Sequence, residues 1–356
     1  MSLEDYGWSD FFSHHYNEYR EEGLCPGRIT LVHRGVYRLQ VGEAEIDAST
    51  TGRLRHLTDD ASQFPVVGDW VACRVDATSS MARIQQVLPR KTKISRKVAG
   101  ARTEEQVVAA NVDTVFVVMG LDGDFSLRRI ERLLTTAWEG GVLPVIVLNK
   151  EDLAADPEAR RREVEAVAPG VPVVKLSALE SHGLAQLETF LRRGETVALV
   201  GSSGVGKSTL INRLLGSEQI RTSDVRAGDD RGRHTTTHRQ IFRLPGGGLL
   251  IDNPGIREVQ LWGSGGGLQT SFEDIEDLAT DCRFHDCTHQ SEPGCAVLEA
   301  VEDCRLAPER LANYQNLQRE LQYLVRKQDE GAERAERTKW KAIQKAYKKS
   351  KKMRPF

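Results

Sequence analysis

The chain has 356 residues, too many for one ordinary domain and enough for two or three. With 39% hydrophobic and 28% charged residues and a net charge of −2, it reads as a soluble globular protein that is not basic throughout. No apolar run approaches the ~18 residues that span a membrane, and the start, "MSLEDYGW", lacks the basic, apolar, small-residue pattern of an export signal. A cytoplasmic location with no membrane association is expected, and six cysteines in such a chain do not suggest a disulfide framework.

Residues 1–26 read as a poorly specified N-terminal arm. Over 27–100, short alternating segments ("RITLVHR", "VYRLQVG", "AEIDAST", "DWVACRVD", "ARIQQVL") separated by turn residues predict an OB-type β-barrel. A basic run, "RKTKISRK" (90–97), sits at the junction that follows. Over 101–265 the pattern changes to strands alternating with helices, which predicts a parallel α/β sheet. Its strands are "VDTVFVVMG", "LPVIVLNK", "VPVVKLSA" and "TVALVG"; its helices are "SLRRIERLLTTAWEGG", "GLAQLETFLRRG" and "KSTLINRLLG". Leu127, Ile130, Leu133 and Leu134 share one face of the first helix.

The first chemical motif along this unit is Asn149-Lys150-Glu151-Asp152, after an apolar strand. A carboxylate placed like Asp152 accepts from guanine N1–H and the 2-amino group, whereas adenine leaves it unpaired. Sites of that kind discriminate by factors on the order of 10⁴–10⁵. Asn149 would tie loops together and Lys150 would lie along the base. Ser177-Ala178-Leu179, after another strand, fits a loop that supports the base through a backbone N–H.

Next comes Gly201-Ser202-Ser203-Gly204-Val205-Gly206-Lys207-Ser208-Thr209, a complete phosphate-binding loop between a strand and a helix. Lys207 would reach the β- and γ-phosphates and Ser208 would ligate Mg²⁺. The polar stretch "DDRGRHTTTHRQ" reads as a switch, with Thr236 the favoured threonine of 235–237 to complete the Mg²⁺ shell. In "LLIDNPG", Asp252 would hold Mg²⁺ through water and the Gly255 N–H would contact the γ-phosphate. Ile256 stands where Ras-like enzymes carry the glutamine that orients water. Slow intrinsic hydrolysis is therefore expected unless another group substitutes; His234 either does so or only caps the switch.

The guanine loop precedes the phosphate loop, the reverse of the usual order in small GTPases. In an open parallel sheet the binding loops all lie at the carboxyl ends of strands, so a rewired chain preserves the pocket. The reversal places the switch directly before the C-terminal part, an arrangement suited to yoking the two.

Residues 266–330 read as an α-rich zinc-binding domain. Cys282, Cys287, His289 and Cys295 offer four ligands for one structural, tetrahedral zinc, with His285 as a competitor for the place of His289. Leu311, Tyr314, Leu317, Leu321 and Leu324 recur at spacings of three and four, as core packing would require. The tail, 331–356, carries ten Lys/Arg against two Glu. Two basic segments around a nucleotide unit point to a polyanionic partner.

The order "NKED", "SAL", "GSSGVGKST", "GRHTTT", "DNPG", "CRFHDCTHQSEPGC" resembles the circularly permuted ribosome small subunit-dependent GTPase A family. The likeness extends over roughly 25 to 325, including "VGDWV" and "RKTKISRK". It implies an OB-fold, a permuted GTPase domain and a zinc domain. It also implies GTP hydrolysis stimulated by the small ribosomal subunit, contacts with its 16S rRNA, and a role late in its maturation. The family's hydrophobic replacement of the catalytic glutamine falls on Ile256, and its switch histidine on His234. GTP or GDP with Mg²⁺ and one Zn²⁺ are the expected bound groups, and a monomer suffices. The competing readings are a GTP-dependent zinc metallochaperone and a nucleic-acid-binding module with a regulatory nucleotide site.

Overall fold

A computed structural model describes residues 2–33, 35–57, 61–76, 81–97, 105–218, 220, 239–252 and 265–327. The first segment corrects the expectation of a poorly specified arm. Asp10–Glu21 form helix α1, which buries Phe12 and Tyr16. Phe12 and Tyr16 lie one turn apart on the same face of α1, and Trp8, just before the helix, packs its ring against both. Trp8 meets Trp70 edge-on with centroids 4.7 Å apart, which docks the segment on the barrel.

The barrel consists of β1 (Cys25–His33), β2 (Val36–Val41), β3 (Ala44–Thr50), β4 (Trp70–Asp76) and β5 (Met81–Val87), with α2 (Gly52–Leu57) following β3. Pairing runs β1–β2–β3–β5–β4 and returns from β4 to β1, so no edge remains. Only β3 and β5 run parallel. Alternate residues point inward: Ile29, Leu39, Ala48, Val71, Cys73, Ala82 and Ile84 form the interior with Leu54 from α2. This is the OB-type closure expected from the alternating segments.

The basic run after it is not a bare linker. Lys93–Lys97 is strand β6, paired with β7 (Glu105–Ala110), and Lys93 meets Glu105 across the pair at 2.6 Å.

The α/β unit holds β8 (Thr114–Gly120), α3 (Leu127–Glu139), β9 (Leu143–Asn149), α4 (Pro157–Val167), β10 (Val173–Lys175), β11 (Thr196–Val200), α5 (Lys207–Leu215), β12 (Arg239–Arg243) and β13 (Leu249–Asp252). "GLAQLETFLRRG", expected as a helix, forms a 3₁₀ segment over Leu184–Phe190 with Leu187 buried. The sheet order is β10–β9–β8–β11–β13–β12, parallel except for β12. In β8, Val115, Val117 and Met119 pack on one face and Phe116 and Val118 on the other, which explains the unbroken apolar run in the sequence. The chain enters at β8, moves outward to β10, then returns to β11 on the other side of β8. That reversal is the topological switch point where ligands of open α/β sheets bind.

Two features join barrel and α/β sheet. Strand β12 pairs antiparallel with β1 through Leu31↔Gln240 and Val32↔Arg239, giving one continuous 11-stranded sheet. The buried Arg28 donates to Asn111 O at 3.0 Å and Thr196 Oγ1 at 2.9 Å, and also to Tyr6 O.

The C-terminal helices are α6 (Gly266–Ser271), α7 (Glu273–Ala279), α8 (Ala296–Glu302) and α9 over 308–327. Leu311, Tyr314, Leu317, Leu321 and Leu324 of α9 pack with Phe272, Ile275 and Val297 in a core of their own. Among the described residues, no helix is long and apolar enough to cross a membrane.

Candidate nucleotide site and metal centre

Those sequence-predicted nucleotide residues that the structure describes gather at the carboxyl ends of β9, β10, β11 and β13. Residues 201–206 form the turn between β11 and α5, and Lys207, Ser208 and Thr209 open that helix. Two glycines have no substitute here. Gly201 sits at φ +146° with Val118 O 2.3 Å from where a Cβ would stand. Gly206 sits at φ +92° with Asn149 Nδ2 2.3 Å from the same point. Lys207 curls back so that its ammonium donates to Gly201 O at 2.8 Å and to Ser202 O. Asp252 ends β13, the strand beside β11.

Asn149 ends β9, is 2% exposed, and uses both ends of its amide. Nδ2 donates to Val205 O at 2.7 Å, and Oδ1 accepts from Ala178 N at 2.9 Å. One side chain thereby clamps the phosphate loop to the loop at Ser177–Ala178. Lys150, at φ +64°, turns the chain into the short 3₁₀ segment Glu151–Leu153 that carries Asp152. Its ammonium pairs with Asp122 after β8. Burial raises the Asp122 carboxyl, but Lys150 and the Asp124 N–H outweigh it and hold that group below its usual range. Glu151 takes Lys175 Nζ at 3.1 Å and does not point into the loop cluster as a free acid.

Several supporting residues escaped the sequence reading. Asp124 and Arg129 flank Ser202: Arg129 Nη1 lies 3.1 Å from Ser202 Oγ and 2.8 Å from Asp124. Arg213, on α5, donates to Ala178 O at 3.2 Å and Leu179 O at 3.1 Å. The acidic, glycine-containing "LDGDF" after a buried strand was the available signal for Asp122 and Asp124. Nothing in the spacing marks Arg213. His234, Thr236, Gly255 and Ile256, like the tail 331–356, lie outside the described residues.

The ligating atoms of Cys282, Cys287, His289 and Cys295 all lie within 4.8 Å of one another. Cys282 Sγ is 3.8 Å from Cys295 Sγ, and His289 Nδ1 is 3.7 and 3.4 Å from these two sulfurs. A tetrahedral centre with zinc-like bond lengths separates two thiolates by ~3.8 Å and a thiolate from an imidazole nitrogen by ~3.5 Å, so the donor set fits such an ion. His285 is not part of the cluster. Burial lowers the His289 imidazole, favouring the neutral ring that binds metals. Its carbonyl accepts from Gln315 Nε2 at 2.7 Å, anchoring the loop to α9. Glu292 accepts from the backbone N–H groups of Thr288, Gln290 and Ser291 and from the Thr288 hydroxyl, and these bonds hold its carboxyl far below the usual range.

A family model, RsgA GTPase, matches residues 87–262. The chain is 47% identical over 352 residues to the small ribosomal subunit biogenesis GTPase RsgA of Opitutus terrae, covering 96% of each. The chain belongs to the RsgA GTPase family. In structure it resembles YjeQ from Thermotoga maritima, with a TM-score of 0.63 at 29% identity, covering 84% of this chain and 98% of that one. A second structure, YloQ, described as a circularly permuted GTPase, shares the fold with a TM-score of 0.59 at 21% identity, covering 89% and 97%. The permuted order of an RsgA GTPase is visible directly in the sheet. Strands β8, β9 and β10, the last two followed by the Asn149 and Ser177 loops, all precede β11 in the chain and extend the sheet outward from it in the order β8, β9, β10.

Proposed function

We propose that this chain binds GTP with Mg²⁺ and hydrolyses it to GDP and phosphate under stimulation by the small ribosomal subunit, acting late in that subunit's maturation through contacts with 16S rRNA. The observation that carries the reading is the Asn149 clamp, which brings phosphate loop and guanine loop together in a member of the RsgA family. Residues 201–209 cradle the phosphates with backbone N–H groups, and Lys207 leaves the loop carbonyls for the β- and γ-phosphates. Asp152 reads the guanine edge, while Lys150 and the Ser177–Ala178 loop border the base. Ser208, Thr236 and Asp252 serve Mg²⁺, and Gly255 the γ-phosphate. Ile256 contributes no water-orienting group, so basal turnover is slow and the partner completes the site, with His234 as the residue it orders.

The Cys282–Cys287–His289–Cys295 centre holds one structural zinc and gives the C-terminal helices a fixed shape. A metal-donating role fits less well, because His289 and Cys295 are buried at 7% and 2% exposure and offer a client no access. The working state is a cytoplasmic monomer. The test is GTP turnover by the purified chain alone, with small subunits, with large subunits and with free RNA. Stimulation by small subunits alone supports the reading, and equal rates in all four sink it.

A further inference from the structure

Helix α3 carries polar contacts to two functional regions. In its first turn, Ser126 caps the helix by accepting from Arg129 N, and the Arg129 guanidinium reaches out to Asp124 and to Ser202, the second residue of the phosphate loop. Ser202 in turn donates to Asp124, so the three side chains close a ring against the loop.

Two residues further on, the helix is bonded to the C-terminal domain. Glu131 Oε1 meets Arg310 Nη1 at 2.6 Å, and Oε2 accepts from Asn313 Nδ2 at 2.6 Å. Arg310 also forks onto Asp274 at 2.6 and 2.7 Å and donates to Val167 O and Ser271 O. Arg132 pairs with Glu320, and Glu139 Oε2 accepts from Gly267 N at 2.8 Å. A Cβ at Gly267 would stand 2.2 Å from Thr135 O, so the backbone of α6 rests directly on α3.

Glu131 and Arg310 are 2% and 6% exposed. A buried ion pair is at best near break-even against apolar packing, but its bonds are directional and fix one register. This seam does not slide: the C-terminal domain either carries α3 with it or breaks several charge-assisted bonds at once.

We propose that α3 couples the C-terminal metal domain to the phosphate loop, with Glu131, Arg310 and Asp274 as the grip and Arg129 as the positioning residue at the loop. A partner that turns the C-terminal domain shifts Arg129 against Ser202 and changes how the loop holds the nucleotide. By linkage, bound nucleotide changes the domain's affinity for that partner by the same factor. The inference rests on the reading of residues 201–208 as the phosphate site.

The test is equilibrium titration of the full chain with a fluorescent GDP analogue, with metal content and circular dichroism checked for each variant. Asp274→Asn loosens the grip from the C-terminal domain's side, on α7 and without contact to the loop, and Arg129→Gln removes the positioning contact. Each is expected to weaken binding three- to tenfold. The double variant is expected to bind within twofold of Arg129→Gln alone, because the grip acts only through Arg129. Should Asp274→Asn lose metal, Glu320→Gln, which breaks the half-buried Arg132 pair, takes its place in the same cycle. Parental affinity in the grip variant, or independent effects that multiply in the double, overturns the coupling. Failure of the unsubstituted chain to bind the analogue overturns the phosphate-site reading and the coupling with it.

Discussion

Asn149→Ala tests the clamp that organises the nucleotide site. In the parent the amide satisfies Val205 O at 2.7 Å and Ala178 N at 2.9 Å, both in a place closed to water. Truncation leaves one buried acceptor and one buried donor without partners, each costing about 1–3 kcal/mol. The loops relax in part, so we take the lower end, about 2 kcal/mol, as the loss expressed in binding. That corresponds to a fall of roughly 30-fold in GDP affinity. Asn149→Asp is no rescue, since its second oxygen faces the Val205 carbonyl where a donor is needed; it is expected to bind no better than alanine. Gly206→Ala approaches the same contact from the other side, because its Cβ would stand 2.3 Å from Asn149 Nδ2 on a backbone with φ +92°. Titration with a fluorescent GDP analogue measures all three, with circular dichroism as the check on folding. Folded Asn149→Ala protein that binds within twofold of the parent would refute the clamp.

Four other outcomes are expected. Lys207→Ala should abolish measurable GTP turnover while the chain stays folded, and retained turnover would remove Lys207 from the phosphate site. Asp152→Asn should shift preference from GTP towards xanthosine triphosphate, because an amide donor suits the xanthine 2-carbonyl; unchanged selectivity in competition assays would move the base elsewhere. Glu292→Gln weakens the acceptor that gathers the N–H groups of Thr288, Gln290 and Ser291, and should lower metal affinity about tenfold in chelator competition. Arg28→Met strands Tyr6 O, Asn111 O and Thr196 Oγ1. Burial lowers the Arg28 guanidinium to about 10, still charged at neutral pH, so part of the loss is offset by no longer burying a cation. A net loss of about 3 kcal/mol is expected, read as a lower urea midpoint in Trp fluorescence; an unchanged or higher midpoint would show the charge to be no staple.

The candidate nucleotide residues and the Cys/His cluster were legible because the chemistry they suggest needs particular side chains at short, fixed spacings. Glycines at 201 and 206 and the four clustered Cys/His side chains could be singled out before any contact was known. The alternation in 28–88 was legible for a similar reason, since a barrel interior demands period two. What was not legible depends on contacts between distant segments. The ring of Asp124, Arg129 and Ser202 joins residues over seventy apart, and Glu131 was indistinguishable from an ordinary exposed helix acid until Arg310 was placed beside it. The N-terminal helix was missed because its apolar face is aromatic and short, and its partner Trp70 lies in the barrel.

The reversed loop order gains a structural meaning from the pairing of β12 with β1. In an open sheet the outermost strand presents unpaired N–H and C=O groups, and proteins cover or blunt such edges. Here β12 would be that edge, and it stands next to β13, whose end carries Asp252. Because the chain threads the barrel first and enters the α/β sheet at its middle strand, β1 is free to seal β12 through Leu31 and Val32. Arg28, three residues earlier on β1, bonds Thr196 at the start of the phosphate-loop strand. The C-terminal domain, reached after β13, folds back across the sheet to grip α3. The permuted order therefore leaves the Asn149 loop and the 201–206 turn side by side while both flanking domains are tied to the sheet and to α3. A partner touching either domain acts on the same framework that shapes the nucleotide site.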